Sequence, residues 1–197
     1  MLPWSVGFAA LCAARDPGRP VAAPGEIAWL AGAGYLVGAF ALTLWMRALS
    51  LAGAHVGVAV IAWPLALIGA ALTWVAWRRH GRALVGATRD ALRALVAPPE
   101  VKGATRLVWW LLLALLALRF VLLGLDVARQ PLYPWDAWMQ WATKARVWYE
   151  LGRIAPFAGS DAWFAGNGTV YFDAAPGYPP TVPLLQAWSS LVLGRWD

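Results

Sequence analysis

Charge is scarce in this chain. Charged residues make up 13% of its 197 residues and acidic ones number only 10, about half the charge of an ordinary soluble domain. The single cysteine, Cys12, excludes an internal disulfide and any cysteine-based metal cluster. The two histidines, His55 and His80, are far apart in sequence, and no cluster of ligand-type residues is legible, so no metal is assigned. Leu2 to Ala14 is apolar but lacks the basic start of a signal peptide. No repeat of 20–50 residues of the kind that builds solenoids is present. Lysine occurs only at Lys102 and Lys144, while arginine and alanine are abundant. That bias fits a bacterium with a GC-rich genome.

What the chain has instead is apolar length. It is 61% hydrophobic with a mean hydropathy of +0.58. Ile27 to Met46 and Val56 to Trp77 carry no charge, and Leu107 to Leu125 is interrupted only by Arg119. Each run is long enough as a helix to cross a hydrocarbon core of roughly 30 Å. The expected fold is therefore all-α: a polytopic membrane protein with three to four transmembrane helices and an amphipathic surface helix in a periplasmic loop. Leu2 to Ala14, short and carrying Pro3, is expected to be an interfacial or partial segment.

The net charge of +6 suggests nucleic acid only until its placement is considered. Arg78, Arg79, Arg82, Arg89, Arg93, Lys102 and Arg106 all fall between the second and third runs. Basic residues in a short connection stay cytoplasmic, so this cluster sets orientation, touches anionic lipid and speaks against a nucleic-acid partner. Its RRHGRALVGATRDALRAL portion is expected on the inner leaflet as a basic amphipathic helix. The first run then points outward, the second returns with Pro64 inside it, and the third leads out to Asp126. Residues from Asp126 to about Thr181 form a long external loop ahead of a short apolar helix, Val182 to Leu193. A loop of that size between helices is generally functional.

Within the loop, Pro134 suits a helix start and Trp135 to Glu150 reads as helical. At 100° per residue Trp138, Trp141, Ala145, Trp148 and Tyr149 share one face, expected at headgroup level. Asp136, Gln140, Thr143, Val147 and Glu150 fall broadly opposite. Asp136 stands out, because a carboxylate among tryptophans in a poorly hydrated site has its charged form disfavoured and is the stronger base for it. The plain alternative is a favourable charge at a helix N-terminus. Lys144 and Arg146 follow, suited to phosphate oxygens or to pairing with Glu150. Arg119 either snorkels to the outer boundary or meets a lipid phosphate. Asp161 and Asp173 are further carboxylates, and Asn167-Gly168-Thr169 matches a glycosylation sequon. Tyr178-Pro179-Pro180 forces extended backbone before the next helix.

At Trp135-Asp136-Ala137-Trp138, at Trp141 with Lys144-Ala145, and at Tyr178-Pro179-Pro180 leading to Pro183-Leu184-Leu185, the chain resembles the GT-C superfamily of integral membrane glycosyltransferases. The likeness is to bacterial relatives of the protein O-mannosyltransferases and lipid A aminoarabinose transferases. It covers about the last third of the chain plus the third span. It implies transfer of a sugar from a polyprenyl-phosphate donor to an acceptor on the periplasmic face of the bacterial inner membrane. The family's acidic residue carries over to Asp136 as the base, with Asp126 as runner-up. Lys144 and Arg119 become donor-phosphate ligands, and Trp135, Trp138 and Tyr178 line the substrate. Some members use a divalent metal and others none, so no cofactor is assigned. Residues 1–106 then form an N-terminal anchor of two spans and a basic cytoplasmic loop, and residues 107–197 the start of a GT-C-like core. Further C-terminal helices or a partner subunit are expected to complete that core. The alternative is a non-catalytic membrane subunit that keeps the loop architecture.

With Cys12 replaced by Ser, a cysteine placed at Ser160 should react with a membrane-impermeant maleimide in intact cells, and one placed at Thr88 should not. The reverse pattern would overturn the orientation.

Overall fold

A computed structural model describes residues 1–16, 25–96, 102–129, 137–166 and 170–196. Among them the chain is nearly all-α. In order come α1 (Leu2–Ala14), α2 (Glu26–Leu51), α3 (Val58–Val96), α4 (Ala104–Arg129), a π-helical segment (Ala137–Ala142), α5 (Thr143–Leu151), β1 (Phe157–Ala158), α6 (Ser160–Ala165), β2 (Tyr171–Phe172) and α7 (Thr181–Leu193). Three helices are long and apolar enough to cross a membrane: Glu26–Leu51, Val58–Leu95 and Ala104–Arg129. Helix is the natural state for such runs, because in lipid every backbone N–H and C=O must find its partner within the segment. The chain is a multi-pass membrane protein.

The apolar N-terminus, expected as an interfacial or partial segment, is a short helix packed within the bundle. α1 lies antiparallel along α2, with Pro3 at Gly38 and Gly7 at Gly34, and parallel to α3, with Val6 at Gly69. Glycine makes this possible. A Cβ on Gly38 would collide with the carbonyl of Pro3, one on Gly7 would collide with the carbonyl of Gly34, and one on Gly34 would stand 2.8 Å from the Phe8 backbone. Small residues let two helix backbones touch, which multiplies dispersion contacts where no hydrophobic drive separates helix from lipid. The far end of α1 is fastened by polar groups. Arg79 donates from Nη1 to the Ala13 carbonyl at 2.8 Å, satisfying a helix C-terminal acceptor. Arg15 pairs with Glu26 at 2.6 Å.

α3 is also longer than expected. Its 39 residues run through Pro64 and on through the whole basic stretch to Val96, about 58 Å in all. The portion expected to fold onto the inner leaflet continues the span without a break. Gly81 and Gly86 lower helix propensity there, but no proline stops the helix.

One apolar core joins the first and last parts of the chain. Val6, Leu42, Met46, Ile61 and Leu65 from α1–α3 are buried with Ala145 and Trp148 of α5 and Leu184 and Ala187 of α7. The segments 1–106 and 107–197 meet in this core. α7, starting directly after Pro180 as the Tyr-Pro-Pro signal predicts, rests against α5, α2 and α3. α4 differs from every other long helix. It buries no residue, and its Trp109 indole donates at 3.1 Å to the Leu95 carbonyl near the end of α3.

Gly38→Val should cost about 1–3 kcal/mol or more, as overpacking does in a filled interior. Gly32→Ala, which meets open space, should be neutral. Thermal unfolding of both variants in the same detergent checks the difference.

Candidate functional site

The site expected from sequence is the loop between α4 and α7. Its frame begins with a register change. The backbone from Ala137 to Ala142 is π-helical, then becomes regular α-helix from Thr143 to Leu151. A π-turn holds extra residues per turn, yet the expected face stays together: Ala145, Trp148 and Tyr149 lie on one side of the helix, and Thr143 and Glu150 are exposed on the other. The tryptophan face expected to lie at headgroup level is turned inward instead. Ala145 is fully buried and Trp148 is 6% exposed. The Trp148 indole donates from Nε1 to the Ala155 carbonyl at 2.9 Å, and its ring meets Phe157 edge-on at 6.1 Å. Tyr149 is half-buried against Trp196, centroids 6.3 Å apart. α5 is a core helix of the bundle, not a helix lying on lipid with its rings down.

Lys144 lies on the same inward face. Its side chain is 4% exposed, and its ammonium pairs with the Asp173 carboxylate, itself 2% exposed. The ammonium also stands 3.4 Å from the Ala175 carbonyl and 5.9 Å from the centre of the Phe157 ring. Asp173 is held in turn. Its Oδ1 accepts the Ala175 N–H at 3.0 Å, closing an Asx turn, and its own N–H donates to the Ala158 carbonyl at 2.9 Å. That last bond extends the short parallel pairing of β1 with β2, in which Phe157 faces Tyr171 and Ala158 faces Phe172. Lys144 was expected to face a donor phosphate. Its charge is already neutralised by Asp173 in a dry site, so its role here is to join α5 to the loop.

The loop is fastened to the bundle at one end. Gly152 adopts φ +60°, and a Cβ there would collide with the His55 ring. Its carbonyl accepts the Val56 N–H at 2.7 Å, and Ser50 Oγ accepts the Ile154 N–H at 3.3 Å. The loop therefore sits on the end of the bundle that carries the α2–α3 connection.

Of the other candidates, Trp135 and Asp136 lie outside the described residues, as do the Trp138 side chain and the sequon Asn167-Gly168-Thr169. Asp126 and Arg119 are exposed on α4, the helix that buries nothing, and the structure does not bring them to Lys144. Tyr178 is 52% exposed, directly ahead of α7, and its N–H donates to the Ala175 carbonyl at 3.2 Å. Lys144 and the Tyr178 N–H thus converge on the Ala175 carbonyl, while Asp173 holds the Ala175 N–H. No group of three or more metal-ligating side chains exists among the described residues.

Two features escaped the sequence reading. Asp173 is the partner of Lys144, yet the two stand far apart in the chain with no local pattern to join them. The second is two groups of rings in the loop. Buried Trp148 meets Phe157, which meets Tyr171 at 5.6 Å; separately, Trp163 meets Phe172 at 5.9 Å and Phe164 at 5.1 Å. Phe164 is 79% exposed. The aromatic richness of residues 155–180 was the signal that pointed here.

No protein-family model, curated protein or solved structure matches this chain.

Removing one partner of a buried ion pair costs about 3–5 kcal/mol, whereas replacing both costs far less. Lys144→Met and Asp173→Asn should each destabilise strongly, and the double variant should recover most of the loss. Additive effects in thermal or denaturant unfolding would show that the two side chains do not depend on each other.

Proposed function

We propose that this chain is a membrane glycosyltransferase, or the N-terminal part of one. On this reading it transfers a sugar from a polyprenyl-phosphate donor to an acceptor at the periplasmic face of a bacterial inner membrane. The observation that carries the reading is the order of elements around the loop. A bare apolar helix, α4, leads to Trp135-Asp136, a π-helical turn follows at once, and Tyr178-Pro179-Pro180 opens α7. π-helical turns cluster at functional sites, where they re-aim side chains. The buried Lys144–Asp173 pair supports the reading by giving the loop a rigid floor, as positioned chemistry requires.

In the proposed mechanism Asp136 takes the proton from the acceptor hydroxyl as that oxygen attacks the anomeric carbon. The bond from that carbon to the donor phosphate breaks, and the lipid phosphate leaves with the electron pair. Trp135, Trp138 and Tyr178 supply stacking surface for the sugar, and Arg119 supplies charge toward the leaving phosphate. Lys144 acts through the loop as a positioning residue.

A non-catalytic membrane subunit is the second reading, and one observation favours it. The cation best placed in sequence to meet the donor phosphate is neutralised inside the loop.

A general base contributes about 10²- to 10⁴-fold to rate. In membranes carrying the chain and a labelled lipid-linked sugar, Asp136→Asn should lose transfer on that scale while expression and donor binding persist. Asp126→Asn should cost much less. Loss with Asp126→Asn and near-full transfer with Asp136→Asn would move the base to Asp126. If neither substitution alters a verified transfer activity, the subunit reading replaces the enzyme.

A further inference from the structure

The basic half of α3 carries a feature that orientation alone does not require. A groove of about 750 Å³ runs along it, lined by Phe8 of α1 and by Leu84, Val85, Thr88, Arg89, Leu92 and Arg93 of α3. The groove is open along its length, suited to a ligand laid against the helix rather than enclosed by it. The groove is graded along its length. Its Phe8 end lies at the level of the glycine seam, where Phe8 backs onto Gly34, within the apolar part of the bundle. Its Arg89–Arg93 end lies further down α3. The far lip is open: Val85 is 58% exposed and Leu92 61% exposed.

Charge sits beside this apolar floor. At 100° per residue Arg78, Arg82, Arg89 and Arg93 fall within a sector of about 60° on α3, bordering the column Leu84, Thr88 and Leu92. All four arginines are exposed. Arg78 stacks on Trp74 at 4.8 Å, and Asp90, the only acid between Arg78 and Val96, reaches Arg93 at a loose 3.9 Å. The stripe thus keeps a clear excess of positive charge next to a groove that is apolar at its inner end.

We propose that this groove binds an anionic phospholipid, with an acyl chain along Phe8, Leu84, Thr88 and Leu92 and the phosphate at Arg89 and Arg93. Guanidinium groups suit a phosphate because two N–H donors meet two oxygens at once. An apolar floor alone would accept any lipid; the arginine stripe selects an anionic one. The arginine end of the site lies roughly 50 Å along α3 from the loop's attachment at Val56, so it stands apart from the proposed transfer chemistry and does not depend on it.

The test uses the full chain in a neutral detergent, with bound lipid read by native mass spectrometry and the unfolding midpoint by a thermal melt. Phosphatidylglycerol is expected to bind at least about tenfold more tightly than phosphatidylcholine, since each basic residue at an anionic headgroup is worth roughly fivefold in affinity. Arg89→Gln/Arg93→Gln should lose roughly twentyfold for phosphatidylglycerol and little for phosphatidylcholine. Thr88→Trp, which fills the groove without touching charge, should weaken both lipids. The arginine pair is exposed and tests the headgroup contact even where Thr88→Trp folds poorly. Equal affinity for the two lipids would overturn the proposal. So would stabilisation by inorganic phosphate or glycerol phosphate equal to that by the lipid, which would mean a bare anion site.

Discussion

The close approach of α1 to α2 is the contact on which the rest of the bundle is built. At Gly7, Gly34 and Gly38 the two backbones touch with no side chain between them. A helix of 13 residues is only about 20 Å long, too short to hold a place in a bilayer unaided. Seated in this seam it brings Val6 into the core and against Gly69 of α3. The surface so formed by three helices is what α5 and α7 cover. Packing here does the work that water-driven burial does in a soluble domain, because lipid competes on equal terms for every apolar side chain.

The loop depends on that base and adds a polar lock of its own. Gly152 and Ile154 fasten it to the α2–α3 connection by backbone hydrogen bonds, and Lys144 binds Asp173 inside it. The two fastenings differ in kind. Backbone bonds at Gly152 require only a left-handed residue without a Cβ. The ion pair demands that both charges stay dry and matched, since either one alone in that place is strongly unfavourable. Such a pair does not add much net stability over an apolar substitute. What it contributes is a single arrangement of the loop.

Much of the architecture was legible because membrane helices announce themselves by composition. Long apolar runs marked α2, α3 and α4, and Tyr178-Pro179-Pro180 marked the start of α7 to within a residue. The errors have physical causes. α1 is indeed too short to count as a span, but its seat in the bundle was missed, since its glycine signals packing only once a partner is known. α3 was expected to end where its hydrophobicity ends, yet helix continuity is decided by the backbone, which meets no proline between Pro64 and Pro98. The face of α5 was grouped correctly but assigned to the wrong surroundings, because aromatic rings suit a bundle core and a headgroup layer alike. Asp173 was seen only as one carboxylate among several, because nothing in a linear pattern connects it to Lys144. Trp135 and Asp136, the heart of the sequence argument, fall outside the described residues, so that part of the candidate site rests on motif and order.

The continuity of α3 has a mechanical consequence. A helix of this length is held well past its first turns, by Ile61 and Leu65 in the core, by Gly69 against Val6, by Ala76 buried beside Cys12 and by Arg79 bonded to Ala13. Only the turns beyond these contacts can swing: a tilt of about ten degrees about Arg79 would move Arg93 through roughly 4 Å. The α1 seam thus stands between the arginine end and the loop, and forces on the one are taken up there before they reach the other.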